Sequence, residues 1–348
     1  MKWTKNNTIR TKIALPVVLF SSCLLLVIIL FTAIKMRSNS LEHSQKLLLA
    51  ESREYAKQIQ LELGKAIIEN RTLCEVIGSV KTVSEISLGR EEVIKILKLV
   101  LQRYPTFLGT YTAWEPNLFD GKDSSFANTD AHDKTGRFVP YVYRNQNDIV
   151  IEPIIGYDDL KTATWYFEPK NTKREMVIDP FYYQNMYMIS IINPIIKDGV
   201  FLGVTGTDMS MDFIQKLVDG FSLYDGNASI AILSDNQTVV AAYKKPELAG
   251  KPINIAFTNF PQELFSKNQE VQEIQNDTLR TFVPFQLGES GKTWVAYIQV
   301  PKSVIMKSSN NVILVLTIIG IISVLILVYG IFYFSGNLTK PILSIAPL

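Results

Sequence analysis

Two long apolar runs lie near the ends of the chain, and between them the apolar positions change from helical to strand spacing. Residues 13–34 and 312–334 carry no charged side chain. At ~1.5 Å per residue, each run forms a helix of about 33–35 Å, which is long enough to cross a ~30 Å hydrocarbon core. The pattern therefore predicts transmembrane helices at 13–35 and 312–334, with a folded region between them.

The charges beside the first run predict the orientation of this folded region. Residues 1–12 contain several basic side chains, and basic residues next to a span favour the cytoplasmic side. The run is also longer than the ~7–15 apolar residues of a signal peptide, and no A-x-A site follows it. We expect a two-pass protein of the cell (inner) membrane, with residues 36–311 outside the cytoplasm and residues 335–348 back inside.

Residues 36–80 have the periodicity of one long amphipathic helix, a stalk with charged residues between its apolar positions. The apolar positions are Leu48, Tyr55, Ile59, Ala66, Leu73, Ile77 and Val80. This stripe packs either on the chain's own domain or on a second copy, and both alternatives are open. For a second copy, we expect a parallel homodimer that meets along Leu48, Tyr55, Ile59 and Leu73.

The region after the stalk alternates between helical and strand patterns. It predicts helices at 90–103 and 212–218, and strands at 108–114, 138–143, 148–155, 200–207, 228–233, 238–243, 278–286 and 293–300. The tripeptide Lys197-Asp198-Gly199 is typical of a hairpin turn. The fold class is therefore α+β, with one unit at 81–220 and a smaller one at 221–303, each a small sheet with helices to one side.

A candidate site lies in residues 165–208, where an acidic side chain follows an apolar strand. Because side chains alternate along a strand, Leu202, Val204 and Gly206 face the same way as Asp208. A carboxylate on such a face is costly to bury without a cationic or hydrogen-bonding partner. The pattern predicts the wall of a small-molecule pocket. The alternative is that Asp208 caps the helix that starts near Ser210.

Composition argues against several other functions. The formal net charge of +2 gives no basic surface of the kind that binds nucleic acid. The chain has two histidines, His43 and His132, which lie far apart in the sequence. This number argues against histidine-based catalysis and against a histidine metal site. Asp120, Asp123, Asp130 and Asp133 lack the regular spacing of a calcium loop, so a solvated loop is expected there. We expect no enzyme activity in this chain, no cofactor and no metal.

Several segments, in this order, resemble a known family. They are residues 110–123 (TYTAWEPNLFDGKD), 136–141 (GRFVPY), 165–166 (WY), 180–183 (PFYY) and 203–208 (GVTGTD). With the two predicted spans, the chain resembles the double Cache sensor region of bacterial transmembrane receptors, most of all methyl-accepting chemotaxis proteins. The resemblance implies a long N-terminal helix and two PAS-like (Cache) subdomains, with 81–220 distal to the membrane. Residues 338–342 (LTKPI) resemble the opening of a HAMP linker.

The resemblance also implies site residues. In the amino-acid-sensing branch, a Trp-Tyr pair and an Arg two residues before it hold the ligand carboxylate, and the Asp that closes G-V-x-G-x-D holds the amine. Trp165, Tyr166 and Asp208 match these positions, whereas Ala163 stands in place of the Arg. Without the Arg the bidentate carboxylate clamp is missing.

A second acid of that branch, in its P-Y-x-D segment, is replaced here by Tyr183. Its ring can supply cation–π attraction, and Asp158 is the candidate to replace the missing acid. The related amine-sensing branch also lacks the Arg. We therefore expect a small amine or amino-acid-like ligand, bound by Trp165, Tyr166, Asp208, Tyr183 and Asp158.

These expectations describe the ligand-sensing and transmembrane signalling region of a chemoreceptor. Its expected partners are a small-molecule ligand, the lipid bilayer, a second copy of the chain and a cytoplasmic signalling partner reached through the linker. The alternatives are the sensor region of a histidine kinase or cyclic-dinucleotide enzyme, or a non-sensing membrane-tethered adaptor. A sensor needs an enclosed pocket with convergent polar groups, whereas an adaptor needs an exposed apolar patch.

Overall fold

The computed structural model describes residues 9–343, except 147, 160–162, 184–185, 257–260 and 262–263. Residues 1–8 of the predicted cytoplasmic segment and 344–348 of the predicted linker lie outside the described residues. The chain divides into two compact units. One consists of the described residues of Met1–Leu47, Asn276–Thr278 and Val300–Leu348, and the other of those of Leu48–Gln275 and Leu279–Gln299.

The helices account for the long periodic segments of the sequence. Their bounds are Ile9–Thr82 (α1), Arg90–Arg103 (α2), Thr164–Thr172 (α3), Asp212–Asp219 (α4), Ile253–Ala256 (α5), Leu264–Lys267 (α6) and Lys302–Leu343 (α7). Within α1 and α7, the segments Leu15–Thr82 and Lys302–Ile331 reach mean hydropathies of 2.9 and 3.1 in their most apolar windows. Both are long and apolar enough to cross a membrane, as the sequence predicts.

The strands form two sheets. Their bounds are Phe107–Trp114 (β1), Pro140–Asn145 (β2), Asp148–Pro153 (β3), Met176–Tyr183 (β4), Met186–Lys197 (β5), Val200–Ser210 (β6), Ser229–Leu233 (β7), Val239–Ala242 (β8), Val271–Gln275 (β9), Thr278–Gln286 (β10) and Thr293–Pro301 (β11). The strand orders are β3-β2-β1-β6-β5-β4 and β8-β7-β11-β10-β9. We call β1–β6 with α2–α4 the first subdomain, and β7–β11 with α5 and α6 the second subdomain.

The predicted fold class is confirmed: a long N-terminal helix is followed by two sheets with helices and by a C-terminal apolar helix. Helix α2 has the predicted bounds. The predicted turn joins β5 to β6, with Asp198 and Gly199 at φ of 50° and 76°. Helix α3 and strand β4 were not predicted. The boundaries proposed at 80, 220 and 303 stay predictions.

The apolar stripe of α1 packs on the chain's own core. Leu48, Ile59 and Ile77 are fully buried, Leu73 is nearly so, and the ring of Tyr55 lies edge-on to Phe221 at 5.6 Å. A dimer that meets along this stripe is therefore wrong, because its side chains are already covered within one chain. The alternative, packing on the chain's own domain, is what the structure has.

A buried amide also ties α1 to the first sheet. The Asn70 side chain donates to the Ile191 carbonyl at 3.0 Å and to Asn193 Oδ1 at 2.7 Å, and accepts from the Thr207 hydroxyl at 3.2 Å. On the same face of the sheet, the Thr110 hydroxyl donates to the Leu97 carbonyl of α2. The two helices thus cover one face of the sheet and leave the opposite face for the site.

Candidate ligand-binding site

The face of the first sheet that lies opposite α1 and α2 bounds a cavity of about 270 Å³. Strands β1, β2, β4, β5 and β6 supply its floor, and the segment after β3 together with α3 supplies the rest. The lining residues are Tyr111, Tyr141, Ile154, Ile155, Gly156, Trp165, Ile178, Phe181, Tyr183, Met188, Ser190 and Asp208. The cavity is therefore largely aromatic and aliphatic, with one carboxylate and four hydroxyls.

Two glycines give the floor its shape. Gly206 pairs with Tyr111 across β6 and β1, and a Cβ at Gly206 would overlap the Tyr111 ring. A Cβ at Gly109 would likewise come within 2.5 Å of the Tyr141 ring. Because neither glycine has a side chain, both phenol rings can lie across the neighbouring strand. This places their hydroxyl ends near the centre of the sheet.

Asp208 is the charged group of this floor. It pairs with Ser190 of β5 across the sheet and is only 6% exposed. Burial raises the pKa of its carboxyl group to about 6, even though the neighbouring Ser190 and Tyr141 hydroxyls act to lower it. No lysine, arginine or histidine is among the described lining residues. The carboxylate is thus held in an apolar site without a basic side chain in the cavity.

The phenols beside Asp208 differ in their hydrogen bonding. The Tyr111 hydroxyl lies 3.0 Å from Ser190 Oγ. The Tyr141 hydroxyl lies beside Asp208 and helps to lower the carboxyl pKa through hydrogen bonding, whereas no described residue donates a hydrogen bond to its oxygen. Burial raises the pKa of both phenols well above the usual value, and the Asp208 charge adds to this effect. Both hydroxyls therefore keep their protons and can donate or accept hydrogen bonds.

The structure brings three of the predicted residues together. Trp165 lies in the first turn of α3, with its ring edge-on to Tyr111 at 5.5 Å and 85°. Tyr183 lies at the end of β4, 39% exposed, with its ring 6.4 Å from that of Tyr141. Trp165, Tyr183 and Asp208 all line the cavity.

Two predicted residues lie outside this lining. Tyr166 is buried beside the cavity, where its hydroxyl accepts from Arg137 and donates to Glu115, which also pairs with Lys170 at 2.6 Å. Asp158 is exposed and lines a second, more open cavity of about 700 Å³. Their part in ligand binding stays a prediction.

The position at which the resemblance places a carboxylate-binding Arg has an ordinary packing role. Ala163 is fully buried at the start of α3. Arg137 comes near this region, but its guanidinium donates to the Trp114 carbonyl and to the Tyr166 hydroxyl. Within the described lining, therefore, no side chain forms the bidentate clamp that a carboxylate ligand would need.

Asp208 does not cap the following helix, so that alternative is wrong. Helix α4 starts at Asp212 with Met211 at the N-cap, and the side chain of Met211 makes no capping hydrogen bond. The first free N–H, that of Asp212, is bonded to the Ser210 hydroxyl at 3.1 Å. The side chain of Asp208 is therefore not needed to hold α4.

The acidic loop predicted as solvated is partly buried instead. Asp120 and Asp123 both pair with Arg90 at 2.6 Å, and Asp123 is only 5% exposed. Asp133 accepts from the Tyr157 hydroxyl and from backbone and hydroxyl groups of Thr135. Among the residues that the structure describes, no group of three or more histidine, cysteine or acidic side chains is placed to hold a metal.

Sequence reasoning missed Tyr111, Tyr141, Ser190 and the aliphatic lining residues. The available signal was the pairing of a glycine with an aromatic residue across neighbouring strands, as in Gly206 with Tyr111. That signal requires the register of β1 against β6, which are far apart in sequence. Only the structure shows which residues of β1 and β6 pair with each other.

Comparison with known proteins finds similar sensor proteins over part of the chain. Residues 93–216 match the family described as the first PDC sensor domain of methyl-accepting chemotaxis protein-like proteins. The methyl-accepting chemotaxis protein TlpQ of Pseudomonas aeruginosa is 29% identical over 241 residues, which are 62% of this chain. That match spans 33% of the length of the curated relative.

Solved structures share the fold. The extracellular domain of mmHK1S-Z3, described as a histidine kinase, is 25% identical, with a TM-score of 0.67, and the match covers 77% of this chain and 97% of that one. The domain of the Pseudomonas aeruginosa amino acid chemoreceptor PctC in complex with GABA is 16% identical, with a TM-score of 0.53, covering 74% and 99%. The domain of the Pseudomonas fluorescens chemoreceptor CtaA in complex with L-serine is 17% identical, with a TM-score of 0.50, covering 75% and 99%.

The matched segment contains all six strands of the first sheet, which bounds the cavity. Residues 93–216 are thus similar to the first sensor domain of methyl-accepting chemotaxis protein-like receptors, and the chain that contains them has two candidate membrane helices among its described residues.

Proposed function

We propose that this chain is the sensing region of a chemoreceptor-type protein and that the first subdomain binds a small cationic amine. The observation that carries the proposal is Asp208, the one charged side chain among the described lining residues of the cavity. A buried carboxylate with no basic side chain in the same cavity favours a ligand that brings the positive charge.

The other lining residues suit the remainder of such a ligand. The rings of Trp165 and Tyr183 can attract a cation over their faces. Ile178, Phe181 and Met188 offer an apolar wall for an aliphatic or aromatic body. The ligand we propose therefore has one cationic nitrogen and an apolar remainder.

An amino acid is a weaker candidate on this geometry. The PctC and CtaA domains were solved with GABA and L-serine, which both carry a carboxylate. In this chain the position of the carboxylate-binding Arg is Ala163, and Arg137 donates elsewhere. A zwitterion would bring a second negative charge into a cavity whose described lining already holds Asp208.

A concave pocket with convergent polar groups supports a sensor rather than an adaptor. For the output, a chemoreceptor comes first because TlpQ and the matched family are of that kind. A histidine kinase is the second candidate, because mmHK1S-Z3 is described as one.

Strand β4 gives the pocket a contact with the second subdomain. Ile178 lines the cavity, whereas the neighbouring Asp179 accepts from Lys292 Nζ at 3.1 Å and from the Trp294 indole at 3.3 Å. Lys292 also pairs with Asp235 at 3.3 Å. We propose that ligand binding displaces β4 and that this ionic cluster passes the displacement to the second sheet.

A matched set of small molecules tests the ligand class. At a concentration of 100 Kd, a ligand stabilises its protein by about 2.7 kcal/mol. We expect 3-methylbutylamine to raise the melting temperature of the chain in nanodiscs by about 5 °C or more. The uncharged 3-methylbutan-1-ol and the zwitterions leucine, GABA and serine should have little effect. Stabilisation by the zwitterions but not the amine would overturn the proposed ligand class.

One cysteine variant tests both the orientation and the assembly. We propose that residues 36–311 are extracytoplasmic and that the receptor is a homodimer. The exposed apolar side chains Leu61, Ile68 and Val76 of α1 are the candidate contact, since the predicted stripe is buried. In a Cys23→Ser, Cys74→Ala background, Ile68→Cys should react with a membrane-impermeant maleimide in intact cells and form a disulfide-linked dimer on oxidation.

The control for this experiment is Leu73→Cys, because Leu73 is only 3% exposed. It should neither label nor cross-link in the folded chain. If Ile68→Cys is labelled only after lysis, the proposed orientation is wrong. If it is labelled in intact cells but never cross-links, the proposed contact of α1 is wrong.

A further inference from the structure

We propose that the Tyr141 hydroxyl makes the pocket selective for primary ammonium ions over fully methylated ones. The inference rests on the proposed amine-binding function and names a specificity-determining residue for it. The observation behind it is a buried hydroxyl that lines the cavity beside Asp208 and whose oxygen accepts no hydrogen bond from the described residues.

The Tyr141 ring is held in one place by its neighbours. The residue is 4% exposed, and its ring stacks on Tyr143 at 5.0 Å and 13°. Tyr111 packs edge-on against it at 6.0 Å, and Gly109 leaves the space in which the ring lies. The hydroxyl therefore has little freedom to turn toward solvent in search of a partner.

A buried hydroxyl without a partner is costly, so most buried hydroxyls in proteins are hydrogen-bonded. Here the group lies beside Asp208, the carboxylate proposed to pair with the ligand's charge. Ser190 Oγ, bonded to the Tyr111 hydroxyl at 3.0 Å, lies across the strand from the same carboxylate. Asp208 is thus accompanied by two oxygen atoms that can each accept a further hydrogen bond.

A primary ammonium ion has three N–H donors, as the side chain of lysine does. One donor can pair with Asp208, and a second can reach the Tyr141 oxygen, which accepts no hydrogen bond from the described residues. A trimethylammonium group has the same charge but no donor. It would satisfy the charge of Asp208 but would donate no hydrogen bond to the Tyr141 oxygen, and it would press methyl groups against that oxygen.

The test compares 3-methylbutylamine with its N,N,N-trimethyl derivative, which has the same apolar body. Calorimetry on the chain in nanodiscs at pH 7.5 should show that the primary amine binds about tenfold more tightly, a difference typical of one buried hydrogen bond. Tyr141→Phe should weaken the primary amine by about tenfold and leave the quaternary ion unchanged, which removes the selectivity.

Tyr143→Phe is the matched control, because that ring stacks on Tyr141 but does not line the cavity. It should leave the selectivity intact. Equal binding of the two cations to the wild-type chain overturns the inference while leaving the amine function standing, and this result does not depend on any variant folding. Loss of both cations to the same degree in Tyr141→Phe also overturns it. If the wild-type chain binds neither cation, the amine function fails and the inference fails with it.

Discussion

Replacing Asp208 by Asn is expected to stabilise the unliganded protein at neutral pH and to weaken amine binding. The carboxyl pKa is about 6 in the folded state, against 3.8 for the unperturbed group. Because the folded state binds the proton more tightly, stability falls as pH rises from about 4 to about 6 and stays lower above that range. At ~1.36 kcal/mol per pKa unit, the ionised group costs about 3 kcal/mol at pH 7.5.

The Asn side chain has nearly the same shape and no charge, so Asp208→Asn should melt higher than the wild type at pH 7.5. At pH 5 the wild-type carboxyl group is mostly protonated when folded, and the difference should shrink to about half. Differential scanning calorimetry without ligand measures both values. A variant that melts lower at both pH values would mean that the charge of Asp208 has a structural partner within the folded chain, and the need for a cationic ligand would then disappear.

Replacing Arg90 by Met is expected to destabilise the first subdomain strongly. Arg90 is 4% exposed, donates to Asp120 and Asp123 at 2.6 Å and to the Gly136 carbonyl at 2.7 Å, and lies over the Phe126 ring at 4.3 Å. Its removal leaves the buried carboxylate of Asp123 without its cation. Breaking a buried pair in this way typically costs about 3–5 kcal/mol, which lowers the melting temperature by about 10 °C.

Two further variants separate the charge effect from the loss of packing. Arg103→Met removes a cation from an exposed position at the end of the same helix and should change stability by less than about 0.5 kcal/mol. Adding Asp123→Asn to Arg90→Met removes the unpaired charge and should recover part of the loss. If the double variant is as unstable as the single one, the packing of Arg90 against the aromatic rings matters more than its ion pairs.

The sequence predicted those parts of the fold that depend on local pattern. Helix α2 has a clear apolar stripe, and the β5–β6 hairpin has a turn tripeptide whose Asp and Gly adopt positive φ. Strand alternation alone predicted that Asp208 lies on the same face of its strand as Leu202, Val204 and Gly206. These features depend on residues that are close in sequence, which is why they were available before the structure.

Other features depend on residues that are far apart in sequence. The stripe of α1 is visible in the sequence, but the pattern does not say whether the chain itself or a second copy covers it. Helix α3 begins with aromatic residues and contains Pro169, so it shows no helical period. The place of Tyr141 beside Asp208 depends on the register of β1 between β2 and β6. Only the assembled sheet shows that neighbourhood.

The pH dependence of amine affinity tests the central claim most directly. Asp208 is faced by Ser190, Tyr111 and Tyr141, whose hydroxyls do not ionise in this range, and an alkylamine stays protonated throughout. Titration of 3-methylbutylamine by calorimetry should therefore show an affinity about tenfold lower at pH 5 than at pH 7.5. At pH 5, which is one unit below the carboxyl pKa of about 6, most Asp208 side chains are protonated and cannot pair with the amine.

The Asp208→Asn chain serves as the comparison in the same measurement. It should bind about ten- to a hundredfold more weakly at pH 7.5, as expected for a lost charge-assisted hydrogen bond of about 1.5–3 kcal/mol, with no pH dependence. We predict a wild-type affinity that falls with the protonation of Asp208 and a variant affinity that is low and flat. A wild-type affinity that is the same at both pH values, or a variant that binds as tightly as the wild type, would contradict the proposed pairing of Asp208 with a cationic ligand.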